Sequence, residues 1–509
     1  MGKRQLSARQ KNRLADLLVL FCGALLPLAY APFGLWPLLL IAFAVLFLFT
    51  STTSSGRALW RGYLFGLGWF GVGVSWVYVS VRLFGNANAP LAGLITALLV
   101  LVLACYPLLA VWLTRALTTA KSRFMPVLVI PAAWVLVEWL RGWLFTGFPW
   151  LEPGYAFIDT PLSAFAPLAG VLSVTYLAIL SATLLALLFR AGAATLDRVL
   201  AVIILAVVWL GVSLIEIGNF TTPQGKPLTV ALVQGNIPQH RKWLAAERVP
   251  TLAMYRKQTE RHWDKDIVIW PETAVPAFED QVMDYLNAMH TAAQVTSTQL
   301  LTGIVVRESH GDRYFNAMVS LGNTDRGADT IYKKQHLVPF GEYLPLAFLL
   351  DPLLDFLEIP MSDFSAAEQA GSQIKLGHYQ AGASICFESV FSHAIRDALP
   401  DAAYLINISN DAWFGDSLAP HQHLQITRMR ALETGRYLLR STNTGISAII
   451  EPDGQIQART AQFKQEVLTG IIQPLQGSTP FVRWGYYPIL LFSLLLLVLA
   501  GSKLAAKNT

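Results

Sequence analysis

Apolar residues run in long blocks through the first 220 positions and once more near the end; between these the apolar runs are short and alternate with polar stretches. A helical membrane span needs about 20 mostly apolar residues. Seven blocks before residue 220 reach that length, roughly 14–30, 33–50, 58–81, 89–114, 125–145, 162–189 and 199–217, and an eighth lies at 484–502. They predict a membrane domain of seven helices over 1–220 and an eighth helix at 484–502.

The segment 226–476 has a different rhythm. Leu228–Gln234, Asp266–Trp270, Leu300–Val306, Ala383–Ile385, Tyr404–Ile408 and Ile446–Ile450 read as short strands. The stretches 245–262, 277–296 and 418–439 between them read as helices, so an α/β layered domain is expected.

Composition agrees with the membrane reading. Hydrophobic residues make up 54% and charged residues 14%, where a soluble chain carries about 25% charged. That excludes a disordered chain and an ordinary soluble enzyme. Three cysteines exclude a disulfide framework.

The net charge of +5 is small, but its placement is informative. Lys3, Arg4, Arg9, Lys11 and Arg13, then Arg57 and Arg61, Arg115, Lys121 and Arg123, Arg190 and Arg198, and finally Lys503 and Lys507 fall on one side of the alternating spans. Only Arg82 and Arg141 fall on the other. The positive side is cytoplasmic, so both termini face the cytoplasm and 226–476 lies outside. Ala29-Tyr30-Ala31 resembles a signal cleavage site, but Pro32 follows it, and an uncleaved first span is expected. Glu138 and Arg141 share a helix face late in the fifth span, where an ion pair ringed by tryptophans at the outer interface is the simpler reading.

Candidate chemistry lies in three places. Trp270-Pro271-Glu272-Thr273 puts a carboxylate at the end of a strand, where α/β sites form. Tyr332-Lys333-Lys334-Gln335-His336-Leu337 places cations before a Pro–Gly turn that ends at Glu342. Ser384-Ile385-Cys386-Phe387-Glu388 ends a strand at a thiol, with a helix expected over about 388–399 whose dipole would favour the thiolate. Singly, Glu272 could cap a helix near 276, Lys334 could be solvated and Cys386 could be packed. His421 and His423 have no partner at metal spacing, and no nucleotide or flavin fingerprint is present.

Together and in this order, the three motifs resemble the carbon–nitrogen hydrolase (nitrilase) superfamily, whose αββα sandwich carries a Glu–Lys–Cys triad. With eight spans around such a domain, the chain resembles the apolipoprotein N-acyltransferases of the Gram-negative envelope. Val233–Gln239 with Lys242-Trp243, His336–Glu342, Asn410–Gly415 and Thr146–Trp150 are similar to that family's motifs. Phe387 departs from the pattern, which often has tyrosine after the cysteine.

The resemblance implies a ping-pong transfer of an acyl chain from a phospholipid, with phosphatidylethanolamine the expected donor, to the α-amine of a diacylglyceryl-cysteine lipoprotein. Cys386 would be the nucleophile, Glu272 the general acid–base and Lys334 the oxyanion cation. Glu342 and Glu388 would hold Lys334 or the incoming ammonium, and Trp243, Phe387, Trp413 and Phe414 would meet substrate. The apolar stretch Leu344–Phe364 is expected to be an arm touching the bilayer or an acyl chain. No cofactor, metal or nucleic acid is implied, a monomer suffices, and the place of action would be the bacterial inner membrane with a periplasmic catalytic domain over 226–476. A membrane-tethered amidase would use the same triad and is the competing reading.

Overall fold

The computed structural model describes residues 7–85, 87–118, 125–211, 220–308, 313–324, 327–339, 341–343, 364–368 and 371–508. The chain divides into two compact units. One comprises Met1–Tyr78, Ala89–Gly218 and Trp484–Thr509, and the other Val79–Asn88 and Asn219–Arg483.

The first unit is helical, and a helix occupies each apolar block. These are Ala8–Leu25, Pro37–Ser51, Ser55–Gly73 with Trp76–Leu83, Ala89–Leu103 with Cys105–Leu117, Met125–Arg141, Val171–Phe189, Thr195–Ala206 and Tyr487–Asn508. Among the described residues three helices are long and apolar enough to cross a membrane: Ala8–Ala29, Ala89–Leu117 and Val171–Phe189. A fourth is added if Ser55–Gly73 and Trp76–Leu83, bent by 52°, count as one span. Pro37–Ser51 and Tyr487–Ser502 are apolar but shorter, and the block at 199–217 leaves the described residues after Gly211.

Two buried carboxylates of this unit are paired with arginines, which offsets the cost of burying charge. The buried Glu138 carboxylate pairs with Arg141, whose guanidinium also donates to the carbonyls of Phe148 and, at 2.7 Å, Trp150. The pair therefore ties the end of its helix to the loop that follows. A second buried site stands out less in the sequence: Asp16 accepts from Arg61 at 2.9 Å and Arg57 at 2.6 Å.

The second unit is a sandwich of two six-stranded sheets. Its strands are β1 (Thr221–Pro223), β2 (Leu228–Gln234), β3 (Ile267–Ile269), β4 (Gln299–Arg307), β5 (Tyr314–Leu321), β6 (Ile331–Lys333), β7 (Gln373–Leu376), β8 (Tyr379–Ile385), β9 (Tyr404–Ser409), β10 (Leu438–Thr442), β11 (Ala448–Ile450), β12 (Ile456–Arg459), β13 (Glu466–Ile472) and β14 (Leu475–Gly477). One sheet has the order β13-β2-β3-β4-β5-β6 and the other β12-β11-β10-β9-β8-β7, while β1 pairs with β14. Strands β2-β3-β4 and β8-β9-β10 are parallel; the flanking pairs are antiparallel.

Strand periodicity explains the layers. Ile406 and Ile408 point into the core between the sheets, where they meet Leu232, Ile269 and Leu301 of the opposite sheet. The intervening Leu405 points outward and packs with Leu424 and Ala431 of the helix Ala419–Thr434. On the outer face of the other sheet, Leu252 and Tyr255 of helix Ala245–Glu260 and Leu286 and Met289 of helix Met283–Thr296 cover Val233, Val268 and Leu300. Each such fully buried aliphatic side chain contributes about 1.5–3 kcal/mol. Helix outside, two sheets inside, helix outside gives the αββα order.

Candidate active site

Glu272 follows β3 through Trp270 and Pro271, and Cys386 directly follows β8. Both stand at the C-terminal ends of parallel strands, one in each sheet. Lys334 is the first residue past β6, and its backbone N–H donates to Asn316 O on β5 at 2.8 Å. All three side chains are buried.

The carboxylates and the cation form one cluster. Lys334 Nζ donates to Glu342 Oε1 at 2.8 Å and stands 3.9 Å from Glu272 Oε1. Asn316 Nδ2 bridges the two carboxylates, donating to Glu272 Oε1 at 2.7 Å and Glu342 Oε1 at 3.2 Å. Glu342 Oε2 also accepts from the N–H of Val338 at 2.8 Å, which folds the loop after Lys334 back onto it. Glu272 Oε2 is buried and has no hydrogen-bond partner among the described residues. Gly303 on β4 makes room for this loop: a Cβ there would stand 2.8 Å from Glu272 Cα.

The neighbouring Lys333 behaves differently. Its Nζ lies 4.4 Å from the ring centroid of Phe315, so successive lysines point to opposite sides, as extended chain requires.

Electrostatics set the resting protons. Burial alone would lower the pKa of Lys334, but Glu342 and then Glu272 hold it above its ordinary value, so it stays cationic. Burial raises that of Glu272; Lys334 opposes the shift and Glu342 adds to it. Burial pushes the Cys386 thiol up to about 12, with Glu272 adding to it and Lys334 opposing. The thiol is therefore protonated at rest. This corrects the expectation of a dipole-stabilised thiolate. No helix spans 388–399: a five-residue 3-10 turn, Cys386–Val390, is followed by the short helix Ser392–Arg396. So short a turn sums little dipole, and desolvation dominates.

Glu388 is placed apart from Lys334's immediate partners. Its Oε1 accepts from the N–H groups of Gln335 at 2.7 Å and His336 at 3.0 Å. Its Oε2 accepts from the Tyr332 hydroxyl at 2.9 Å and the N–H of Ile385 at 2.7 Å. It thus fastens the segment carrying Lys334 to the segment carrying Cys386. Burial raises its pKa, opposed by Lys334 and by these N–H donors.

Of the residues expected to meet substrate, Phe387 is buried against Phe391 and His336. Trp243 is 39% exposed. The Trp413 carbonyl accepts from Ser80 at 2.7 Å and its ring meets Phe84 edge-on, while Phe414 stands edge-on to His423. The stretch Leu344–Met361, with the two residues after it, lies outside the described residues, and only Phe364 of the expected arm is described, packed with Tyr314.

Two members of the cluster were not singled out from the sequence as site residues. Asn316 sits mid-strand with no motif around it. Lys242 was noticed only as half of a pair with Trp243; it is buried, and its Nζ donates to the Glu272 carbonyl at 3.0 Å. Burial lowers its pKa to about 8, with Glu272 opposing. The local pattern, a basic run His240-Arg241-Lys242 before Trp243, does not distinguish Lys242 from a solvated cation.

No group of three or more His, Cys, Asp or Glu among the described residues is arranged to hold a metal ion. The chemistry available is that of a buried thiol with a carboxylate base and a fixed cation, which suits nucleophilic acyl transfer.

Comparison with known proteins places both units. Residues 22–184 match the family model of the apolipoprotein N-acyltransferase N-terminal domain. Residues 229–480 match that of carbon-nitrogen hydrolase. An apolipoprotein N-acyltransferase of Methylococcus capsulatus is 46% identical over 478 residues, covering 93% of each chain. One from Vibrio cholerae is 40% identical over 491 residues, covering 94% of this chain and 95% of that one. One from Azotobacter vinelandii is 40% identical over 487 residues, covering 95% and 94%.

Proposed function

The chain belongs to the apolipoprotein N-acyltransferase family, and from that premise we propose that Glu272, Lys334 and Cys386 carry its acyl transfer. The donor is a membrane phospholipid, phosphatidylethanolamine first among them. The acceptor is the free α-amine of the N-terminal diacylglyceryl-cysteine of a lipoprotein. The enzyme works at the bacterial inner membrane on eight spans, with its carbon–nitrogen hydrolase domain in the periplasm.

One observation carries this reading. A buried thiol, its pKa pushed up to about 12 by burial and then by Glu272, accompanies a buried carboxylate that has one oxygen without a hydrogen-bond partner among the described residues and a lysine 3.9 Å from the other. Such a thiol is inert until its proton is removed. Glu272 takes that proton as Sγ attacks the ester carbonyl carbon of the donor. The carbonyl oxygen becomes an oxyanion beside Lys334, whose charge is fixed by Glu342. The intermediate collapses, the C–O bond breaks, and the lyso-phospholipid alkoxide leaves with the proton from Glu272. A thioester on Cys386 remains.

The second half runs through the same groups. The amine attacks the thioester carbon and gives a proton to Glu272. A second oxyanion forms beside Lys334, the C–S bond breaks, and the proton returns to sulfur. The product is an amide and the free enzyme.

Intact-mass measurement on the full-length protein with phosphatidylethanolamine, beside Cys386→Ala, tests this. An acyl adduct on the native chain only, discharged by a diacylglyceryl-cysteine peptide, is expected. Discharge by water with no acylated peptide would instead support an amidase, and no adduct on either chain would remove the triad.

A further inference from the structure

Cys386 is a non-glycine residue in the left-handed region, with φ +54°. Such a conformation is strained and persists only where its surroundings impose it. The surroundings here are a buried polar network behind the nucleophile. The Cys386 carbonyl accepts from Ser389 Oγ at 3.0 Å and from Asn407 Nδ2 at 3.3 Å. Ser389 Oγ lies 2.9 Å from His423 Nε2. Asn407 Oδ1 accepts from Arg440. Arg440 Nη2 reaches Asp411 Oδ2 at 2.8 Å and His423 Nδ1 at 3.0 Å. Both routes from the carbonyl of Cys386 thus end on Arg440.

The direction of the protons follows from donor capacity. Ser389 spends its one O–H on the Cys386 carbonyl, so it must accept at His423. Asp411 Oδ1 also approaches His423 Nδ1, at 3.3 Å, but Arg440 Nη2 is closer at 3.0 Å and can only donate, so Nδ1 accepts from Arg440 and the ring hydrogen sits on Nε2, facing Ser389. Burial and then Arg440 lower the pKa of His423, with Asp411 opposing, which keeps the ring neutral. Asp411 balances the arginine and is further held by Ser409 Oγ at 2.8 Å. Arg440, His423, Asp411 and Asn407 are all buried. None touches the Glu272–Lys334–Glu342 cluster in the hydrogen bonds above.

We propose that Arg440, His423 and Ser389 form a directed hydrogen-bond relay that fixes and polarises the Cys386–Phe387 peptide, making them positioning residues for the oxyanion step. Hydrogen bonds in series polarise one another. A peptide carbonyl that accepts two such bonds makes its own N–H a stronger donor. That N–H belongs to Phe387, at the residue after the nucleophile. The relay thus acts on the acyl carbonyl's developing charge and leaves the sulfur's basicity to Glu272. The inference rests on the acyl-transfer reading above.

The test separates attack at carbonyl carbon from attack at other centres. Full-length protein, Ser389→Ala, His423→Gln and His423→Leu are compared in two reactions. One is acyl-enzyme formation from phosphatidylethanolamine, followed by intact mass. The other is thiolation of Cys386 by methyl methanethiosulfonate, in which Sγ attacks the reagent's sulfenyl sulfur, methanesulfinate leaves and no carbonyl oxyanion forms. Ser389→Ala and His423→Leu are expected to slow acylation about tenfold or more, a loss that cooperative bonds to one carbonyl can produce, and to leave the thiosulfonate reaction within about twofold. His423→Gln, whose amide can still donate to Ser389, should recover much of the acylation rate. Unchanged acylation in Ser389→Ala, or equal loss of both reactions, overturns the relay. A native chain that forms no acyl adduct while reacting with the thiosulfonate overturns the acyl-transfer reading, and the relay's role falls with it.

Discussion

Glu388 accepts the backbone N–H of Gln335 at 2.7 Å, although the two are 53 residues apart and sit beside different members of the triad. With its other three bonds, this carboxylate is the fastening between the lysine's segment and the thiol's segment. Glu388→Gln would turn an amide N–H₂ toward at least one backbone N–H, which can only donate. An unsatisfied buried donor costs about 1–3 kcal/mol. The variant should melt several degrees lower and acylate at least tenfold more slowly. Circular dichroism melts with intact-mass kinetics check this; full activity in both Glu388→Gln and Glu342→Gln would rule out any part for these carboxylates.

Lys334 should be replaceable by nothing neutral. Removing an oxyanion stabiliser costs about 10²–10³ in rate. Lys334→Met leaves Glu272 and Glu342 facing each other without a cation, so the rise in Glu272's pKa grows. The expected outcome is loss of acyl-enzyme at neutral pH, with slower loss on raising the pH as Glu272 deprotonates. A pH profile of single-turnover acylation decides it, and a flat profile near the native rate would contradict the assignment.

Lys242 makes a stability prediction with a definite sign. Its folded pKa is about 8, below the unfolded value of about 10.4. Between those values the unfolded chain binds more protons than the folded one, so stability rises with pH across that window. Below about 8 the cost of burying the charge is fully present. The native protein should therefore gain melting temperature relative to Lys242→Met as pH rises from 8 toward 10. Parallel melting curves for the two proteins would show that Lys242 is not buried as a cation.

Gly445 offers a way to disturb the nucleophile's support without touching it. A Cβ at this position would stand 2.8 Å from both Cβ and Cγ of Asp411, so something must shift. Gly445→Ala should push Asp411 off Arg440 and cost about 1–3 kcal/mol through overpacking. The measurement is a denaturant midpoint together with the acylation rate. A midpoint and a rate both equal to the native protein's would mean the loop absorbs the methyl freely.

How much of this was legible beforehand differs by element. An α/β layered domain could be read because the apolar runs around β2, β4 and β9 are long and bounded by turn residues, while the αββα order came from the family resemblance. Strands β5 and β7 were not, since Tyr314–Leu321 follows a charged stretch and Gln373–Leu376 is only four residues long. Glu272, Lys334, Cys386 and Glu342 could be named as candidates from the family resemblance of their motifs, since singly each residue had an ordinary structural reading. Asn316 could not, because its role comes from the register of β5 beside β4, where Asn316 pairs with Val305. Pairing across strands leaves no local trace. The expected helix after Cys386 failed for a related reason. The left-handed backbone at Cys386 is imposed by Asn407, Ser389 and their distant partners, and local propensity knows nothing of them.

The placement of Glu272 in one sheet and Cys386 in the other has a consequence for the chain during its synthesis and folding. The first sheet holds the carboxylate and the cation but no thiol, and its edge strand β13 comes after every strand of the second in the chain. The second sheet holds the thiol without the carboxylate proposed to take its proton. With the roles proposed above, neither sheet alone could attack an ester bond, and the capacity to strip a lipid of its acyl chain would arise only when the two sheets close on each other.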